Sequence, residues 1–83
     1  MPSASPQHEL GEAVRRRRRD LGLTQEDLAL RAGLHQRWIS NVENGKRNPS
    51  YSSLGRLAAG LDLTLSDLIA SAESIQRRSG GDA

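Results

Sequence analysis

Glycines at positions 22, 33 and 45 cut the first half of the chain into segments too short for anything but small helices. Each follows a stretch whose apolar residues recur at helical spacing, where glycine's freedom to turn left-handed stops one helix and lets the next begin. Leu10, Val14 and Leu21 predict helix 1 over about His8 to Leu21, ahead of Gly22. In "TQED", Thr24 is an N-cap with Asp27 three residues on, a variant of the capping box, and helix 2 is expected from about Gln25 to Ala32. Ile39 and Val42 need an inward face, so a third helix must start almost directly after Gly33 and stop by Gly45. "KRNPS" is a loop, and Ser50 caps a fourth helix over about Tyr51 to Leu61, striped by Leu54, Leu57, Ala58 and Leu61. Thr64 and Asp67 repeat the capping pattern before a fifth helix, whose stripe is Leu65, Leu68, Ile69, Ala72 and Ile75.

Composition limits how such helices can be held together. The 83 residues include one Trp, one Tyr, no Phe and no Cys, so Leu, Ile, Val and Ala must form the core without a disulfide. The expected architecture is all-α, a compact five-helix domain over residues 8–78. "MPSASPQ" (1–7) and "SGGDA" (79–83) read as flexible tails. No apolar run approaches a membrane span and the start lacks the layout of a secretory signal, so a cytoplasmic protein is expected.

Twelve basic residues against ten acidic ones give a net charge of +2, but the basic groups cluster, which points to an anionic partner. Two short helices joined by a tight glycine turn form a helix-turn-helix, whose second helix can enter a DNA major groove. Wound at about 100° per residue, Gln36, Arg37, Ser40, Asn41 and Asn44 share one arc of roughly 140°. His35, Trp38, Ile39 and Val42 fall on the other. Gln and Asn pair with adenine, Arg with guanine, and Ser is permissive, so the polar arc reads as a base-reading surface. Trp38, at the rim of the inward arc, is expected to pack as part of the mount. The bland alternative for the arc is an ordinary solvated surface.

At this point the chain resembles the lambda-repressor-like, Cro-type helix-turn-helix regulators, the xenobiotic response element family that includes phage repressors and restriction-modification controller proteins. The resemblance runs from about Leu10 to Ile69 and rests on "LGLTQEDLALRAGL", "ISNVENGKRNPS" and "LGRLAAGLDLTLSDLI". Gln25 opens the motif, Ala29 is its small crossing residue, Gly33 its turn, and Leu34, Ile39 and Val42 its core. The resemblance implies that Gln25 contacts a phosphate and that Gln36, Arg37, Ser40 and Asn41 read bases. It further implies that Arg18 and Glu43 form an ion pair beside the phosphate backbone, and that Asn44, Lys46 and Arg47 make backbone contacts.

Four positions depart from the family pattern. His35 stands where a Ser, Thr or Asp cap is usual, and Arg17 interrupts the apolar stripe of helix 1, from which its head group is expected to snorkel outward. Asp62 replaces a glycine after helix 4, and Gly60 lies inside that helix where alanine is typical; each change is expected to cost about 1 kcal/mol. The run Arg15–Arg19 spreads around the whole circumference of a helix. It is read as mixed, with Arg18 structural and phosphate-adjacent and the others attracting DNA at long range, against a merely solvated face.

Two histidines with no cysteine or carboxylate cluster exclude a metal site, and the serines at 50, 52 and 53 are helix-start chemistry, so neither catalysis nor a cofactor is expected. No small-molecule ligand is evident. Ala72 and Ile75 are expected to stay wet in a monomer, so helix 5, through Leu65, Ile69, Ala72 and Ile75, is expected to dimerise the chain. The reading is a homodimeric, sequence-specific binder of double-stranded DNA on an inverted repeat, with little beyond its DNA-binding domain. The alternative is a protein-binding module, an antitoxin or bridging factor, on the same fold.

Overall fold

The computed structural model describes residues 6–81. They form five helices, α1 (Pro6–Asp20), α2 (Gln25–Ala32), α3 (Gln36–Glu43), α4 (Tyr51–Gly60) and α5 (Leu65–Gly81). Capping chemistry sets three of the starts. Thr24 Oγ1 accepts from the Asp27 amide and Asp27 Oδ2 from the Thr24 amide, both at 3.0 Å, completing the capping box of α2. Ser50 Oγ accepts from the Ser53 amide at 3.2 Å, and Thr64 Oγ1 from the Asp67 amide at 3.0 Å. Gly22, Gly33 and Gly45 all hold φ near +70°, the left-handed stops that the sequence requires.

Both ends of the domain run longer than expected. α1 begins at Pro6, because proline suits a first helical position where no amide partner is needed. α5 continues through Gly81, so residues 79–81 are helical and not tail. The remaining expected tail residues, 1–5 and 82–83, lie outside the described residues.

Val14, Leu28, Ile39, Val42, Leu57, Leu61 and Leu68 are the largest fully buried side chains, and Leu10, Ala13, Ala29 and Ala58 complete the cluster. This aliphatic core joins α1 to α3 and α5, α2 to α3 and α4, and α4 to α5. Trp38 packs against it from the rim, half-buried. One expectation is corrected here. Ala72 and Ile75 are half-buried against the core, because α1 packs along α5 and covers part of the stripe.

Three of the departures explain one another. Asp62 adopts φ +57°, the left-handed turn that glycine makes without strain, and Leu63 N donates to Ala58 O at 2.9 Å to close the end of α4. Arg17 Nε donates to Leu61 O at 2.9 Å, and Arg31 Nε donates to Gly60 O at 2.8 Å while its Nη2 pairs with Asp62 Oδ1 at 3.0 Å. Arg17 thus leaves the apolar stripe to bring positive charge to the negative end of α4, from α1, as Arg31 does from α2. Gly60 is also more than a weak spot. A Cβ there would lie 3.1 Å from both Ala32 Cβ and Leu28 Cδ1, so its smallness lets α2 and α4 approach.

Gly11 does the same for α1 and α3, and more stringently. A Cβ at Gly11 would overlap the Val42 carbonyl oxygen and lie 2.7 Å from that of Glu43, against backbone that has no side-chain freedom with which to yield. Gly11→Ala is therefore expected to destabilise the domain by about 2 kcal/mol or more, read from thermal unfolding. An unchanged melting temperature would disprove the tight α1–α3 contact.

Candidate nucleic-acid interface

The turn between α2 and α3 is built from hydrogen bonds that leave little freedom. Gly33 N and Leu34 N both donate to Ala29 O, and the left-handed Gly33 redirects the chain so that His35, extended, precedes α3 directly. His35 makes no side-chain capping bond, as the missing Ser, Thr or Asp suggests. The inner face of α3 is then fixed by Ile39 and Val42, both fully buried, with Leu34 and Trp38 packed beside them.

Glu43 ends that face as a buried charge, its side chain only 1% exposed. Its Oε2 accepts from Arg18 Nε at 2.6 Å, and its Oε1 accepts from Arg18 Nη2 at 3.0 Å and from Gln25 Nε2 at 3.1 Å. Arg15 Nε stands 3.7 Å from the same Oε1. Arg18 Nη1 also donates to Leu23 O at 2.8 Å, so one carboxylate ties α1, the loop before α2, α2 and α3 together. The hydrogen bond to Glu43 raises the Arg18 pKa; desolvation opposes this, and the carboxylate's charge adds to the rise.

The expected ion pair is thus present, and it engages two residues that were expected to meet phosphates. Arg18, with a side chain 11% exposed and all three nitrogens bonded inside the protein, positions Glu43 and the chain at Leu23. One N–H of the Gln25 amide serves Glu43, and the main-chain N–H of Gln25, at the first position of α2, has no acceptor within the helix. Arg15 is the residue that sequence reasoning missed. Its Nη2 donates to Glu43 O at 3.2 Å and to Asn44 Oδ1 at 3.3 Å, so it caps the end of α3 and holds Asn44. The signal was available, because Arg15 and Arg18 lie three apart on one face of a helix.

On the outer face the pattern reverses. Gln36, Arg37 and Asn44 are exposed and Ser40 and Asn41 half-exposed. Among the described residues, the side chains of Gln36, Arg37, Ser40 and Asn41 make no hydrogen bond within the protein. Lys46 and Arg47 follow on an exposed loop, where Lys46 N donates to Asn41 O at 2.8 Å, and neither side chain is in an ion pair among the described residues. The structure therefore brings all four expected base readers to one surface, with both loop cations beside them. Of the rest of the arginine run, Arg16 pairs with Glu12 at 3.0 Å and Arg17 is at α4, while Arg19 is exposed.

Comparison with known proteins agrees with this geometry. The helix-turn-helix family matches residues 14–68. An uncharacterised HTH-type transcriptional regulator, y4dJ of Sinorhizobium fredii, is 38% identical over 60 residues, 72% of this chain and 78% of its own length. The control protein C.MunI of a Mycoplasma species is 40% identical over 57 residues, 69% of this chain and 77% of its own. The crystal structure of the restriction-modification controller protein C.AhdI from Aeromonas hydrophila superposes with a TM-score of 0.73 at 35% identity, covering 75% of this chain and 94% of that one. The clp gene regulator ClgR from Corynebacterium glutamicum shares the fold, with a TM-score of 0.90 over 98% of this chain and 86% of its own at 23% identity. The chain belongs to the helix-turn-helix family, in its Cro-type, lambda-repressor-like form, and with it to the DNA-binding regulators of transcription. Among the described residues no helix is long and apolar enough to cross a membrane.

Glu43→Gln, which leaves Arg18 buried beside a neutral partner, is expected to lower stability by about 3 kcal/mol in chemical denaturation. A loss below 1 kcal/mol would mean that the pair is dispensable. The exposed Asp27 carboxyl is held below its ordinary pKa, first by the Thr24 amide and then by the Thr24 hydroxyl. A depressed folded value means that its stabilisation is complete above the unfolded value and fades as pH falls through the folded one. The melting-temperature gap between wild type and Asp27→Asn is therefore expected to shrink as acid is added below about pH 4.

Proposed function

We propose that the chain binds double-stranded DNA as a homodimer, with α3 of each copy in a major groove and an inverted repeat as the operator. Gln36, Arg37, Ser40 and Asn41 read bases, while Lys46, Arg47, Asn44 and the amide end of α2 at Gln25 hold phosphates. The observation that carries this reading is the division of α3. Its inner face is locked by the core and Glu43, and its outer face offers side chains with no hydrogen bond inside the protein. Exposed Gln, Asn and Arg at a rigid helix surface suit adenine and guanine edges, and cations one loop away suit the phosphates that flank them. A two-fold dimer would set two such helices about 34 Å apart, one turn of DNA. Self-association through Leu65, Ile69, Ala72 and Ile75 is supported by their half-buried state, which leaves apolar surface uncovered along α5.

The test is selection from a random duplex pool at physiological salt, with Gln36→Ala/Arg37→Ala in parallel. The wild type is expected to enrich an inverted repeat that the double variant does not, each lost bidentate contact being worth about 1–3 kcal/mol. Lys46→Ala is expected to weaken all sequences alike and reduce the salt slope by about 1. Enrichment of nothing by the wild type would reject the base-reading role and favour a protein partner.

A further inference from the structure

Asn44 differs from Gln36, Arg37, Ser40 and Asn41 in that its exposed side chain is held from inside the protein. Arg15 Nη2 donates to Asn44 Oδ1 at 3.3 Å and to the Glu43 carbonyl oxygen at 3.2 Å, one N–H for each acceptor. The rest of the guanidinium is engaged as well, since Nη1 donates to Glu12 Oε1 at 3.5 Å and Nε stands 3.7 Å from Glu43 Oε1. Acceptors on α1 and at the end of α3 therefore hold the planar fork in one orientation. A guanidinium carries donors and no acceptor, so the atom of a side-chain amide that it faces has to be the oxygen. That settles how the Asn44 amide stands. With Oδ1 turned to Arg15, Nδ2 is directed away from it and makes no hydrogen bond among the described residues. A phosphate oxygen can only accept, and Nδ2 turned outward offers it two N–H groups, whereas an outward Oδ1 would oppose acceptor to acceptor.

We propose that Arg15 is a positioning residue for DNA binding: it holds the Asn44 amide with its nitrogen outward, as a ready donor to a phosphate, and makes no phosphate contact of its own. The inference rests on the phosphate-holding reading of Asn44 given above and names what prepares that contact. The backbone of Asn44 is already set, because it is the C-cap of α3 at φ −91° and ψ 6° and its N–H donates to Ser40 O at 3.0 Å. Its terminal amide torsion is not set by the backbone, since that torsion is broad and roughly two-fold. Arg15 makes the choice between the two faces. The charge that phosphates need comes from elsewhere, from Lys46 and Arg47, which lie exposed on the following loop without an ion pair among the described residues. Arg15 has its own donors committed to Glu12, Glu43 and Asn44, and its side chain is 31% exposed.

Nuclear magnetic resonance of the DNA-free protein reads the orientation directly. The Nδ2 group of Asn44 is expected to be ordered in wild type and to fall to an order parameter below about 0.6 in Arg15→Ala, while the backbone amides of Asn44 and Gly45 keep theirs. Loss of order in the backbone as well would make Arg15 a prop for the end of α3 and overturn the proposal. Binding to the selected operator supplies a double-mutant cycle. Asn44→Ala and Arg15→Ala are each expected to weaken binding roughly 10-fold, and the double variant hardly more than either, because both remove one contact. The slope of log K against log salt is expected to stay unchanged in Arg15→Ala, whereas loss of a cation that neutralises a phosphate would lower it by about 0.9. Losses that multiply overturn the proposal while leaving the role of Asn44 intact, and a lowered slope would then make Arg15 a phosphate ligand itself. If Asn44→Ala binds DNA as wild type does, the phosphate role of Asn44 is wrong and the proposal falls with it. A disordered Nδ2 in wild type overturns it without any variant, so the matter is decided even where Arg15→Ala folds poorly.

Discussion

A buried carboxylate at the end of a short helix is an unstable choice unless cations surround it, and Glu43 makes the whole domain supply them. Arg18 and Arg15 come from α1, Gln25 from the start of α2, and the chain between α1 and α2 is bound to the same cluster through Leu23 O. The cluster can form only if α1 lies almost in contact with the end of α3, and Gly11 removes the side chain that would keep them apart. Hydrophobic burial of Ile39 and Val42 is non-directional and could be satisfied by small rotations of α3. The bidentate Arg18–Glu43 geometry cannot, because a planar fork tolerates little angular error. The core therefore gives α3 its stability, and the ion pair fixes its angle.

That division bears on recognition. Base reading needs side chains held to within a fraction of an ångström while remaining unpaired themselves, and an eight-residue helix cannot provide this alone. α3 borrows its rigidity from α1 and α2 through its inner face, which leaves Gln36, Arg37, Ser40 and Asn41 on the outer face without internal side-chain hydrogen bonds. Trp38 lies on the boundary, packed against the core cluster, so the chain's single tryptophan widens the inner face of α3. The cost is that four of the five consecutive arginines serve internal or neighbouring groups, and the long positive run contributes less free charge than its length suggests.

Much of this was legible in the sequence because it is local. Caps at Thr24, Ser50 and Thr64, left-handed glycines and the Leu57, Leu61 and Leu68 stripe each follow from a few adjacent residues, and the structure reproduces them. The division of α3 was legible for the same reason, since helical period alone sorts Gln36 and Arg37 from Ile39 and Val42. What was illegible depends on contacts between distant segments. Arg17 looked like a flaw in an apolar stripe and Asp62 like a flawed turn, yet they meet across 45 positions at the end of α4, where Arg31 joins them. Gly60 looked like a weak helix former, and only the crossing of two helices shows why a Cβ is excluded there, as it is at Gly11. Ala72 and Ile75 looked unneeded because the cover from α1 depends on how the two helices pack.

The two surfaces of the domain are not independent in space. Gly45, left-handed at the end of α3, would bring a Cβ within 3.4 Å of His8 Cα, so the loop after the recognition helix rests on the first turns of α1. Lys46 and Arg47 follow on that loop, and Asn48 next to them lines the groove that Glu9 and Leu10 share with Leu54, Ile69 and Ala72. Any contact made at that groove is therefore a contact beside the loop that follows α3.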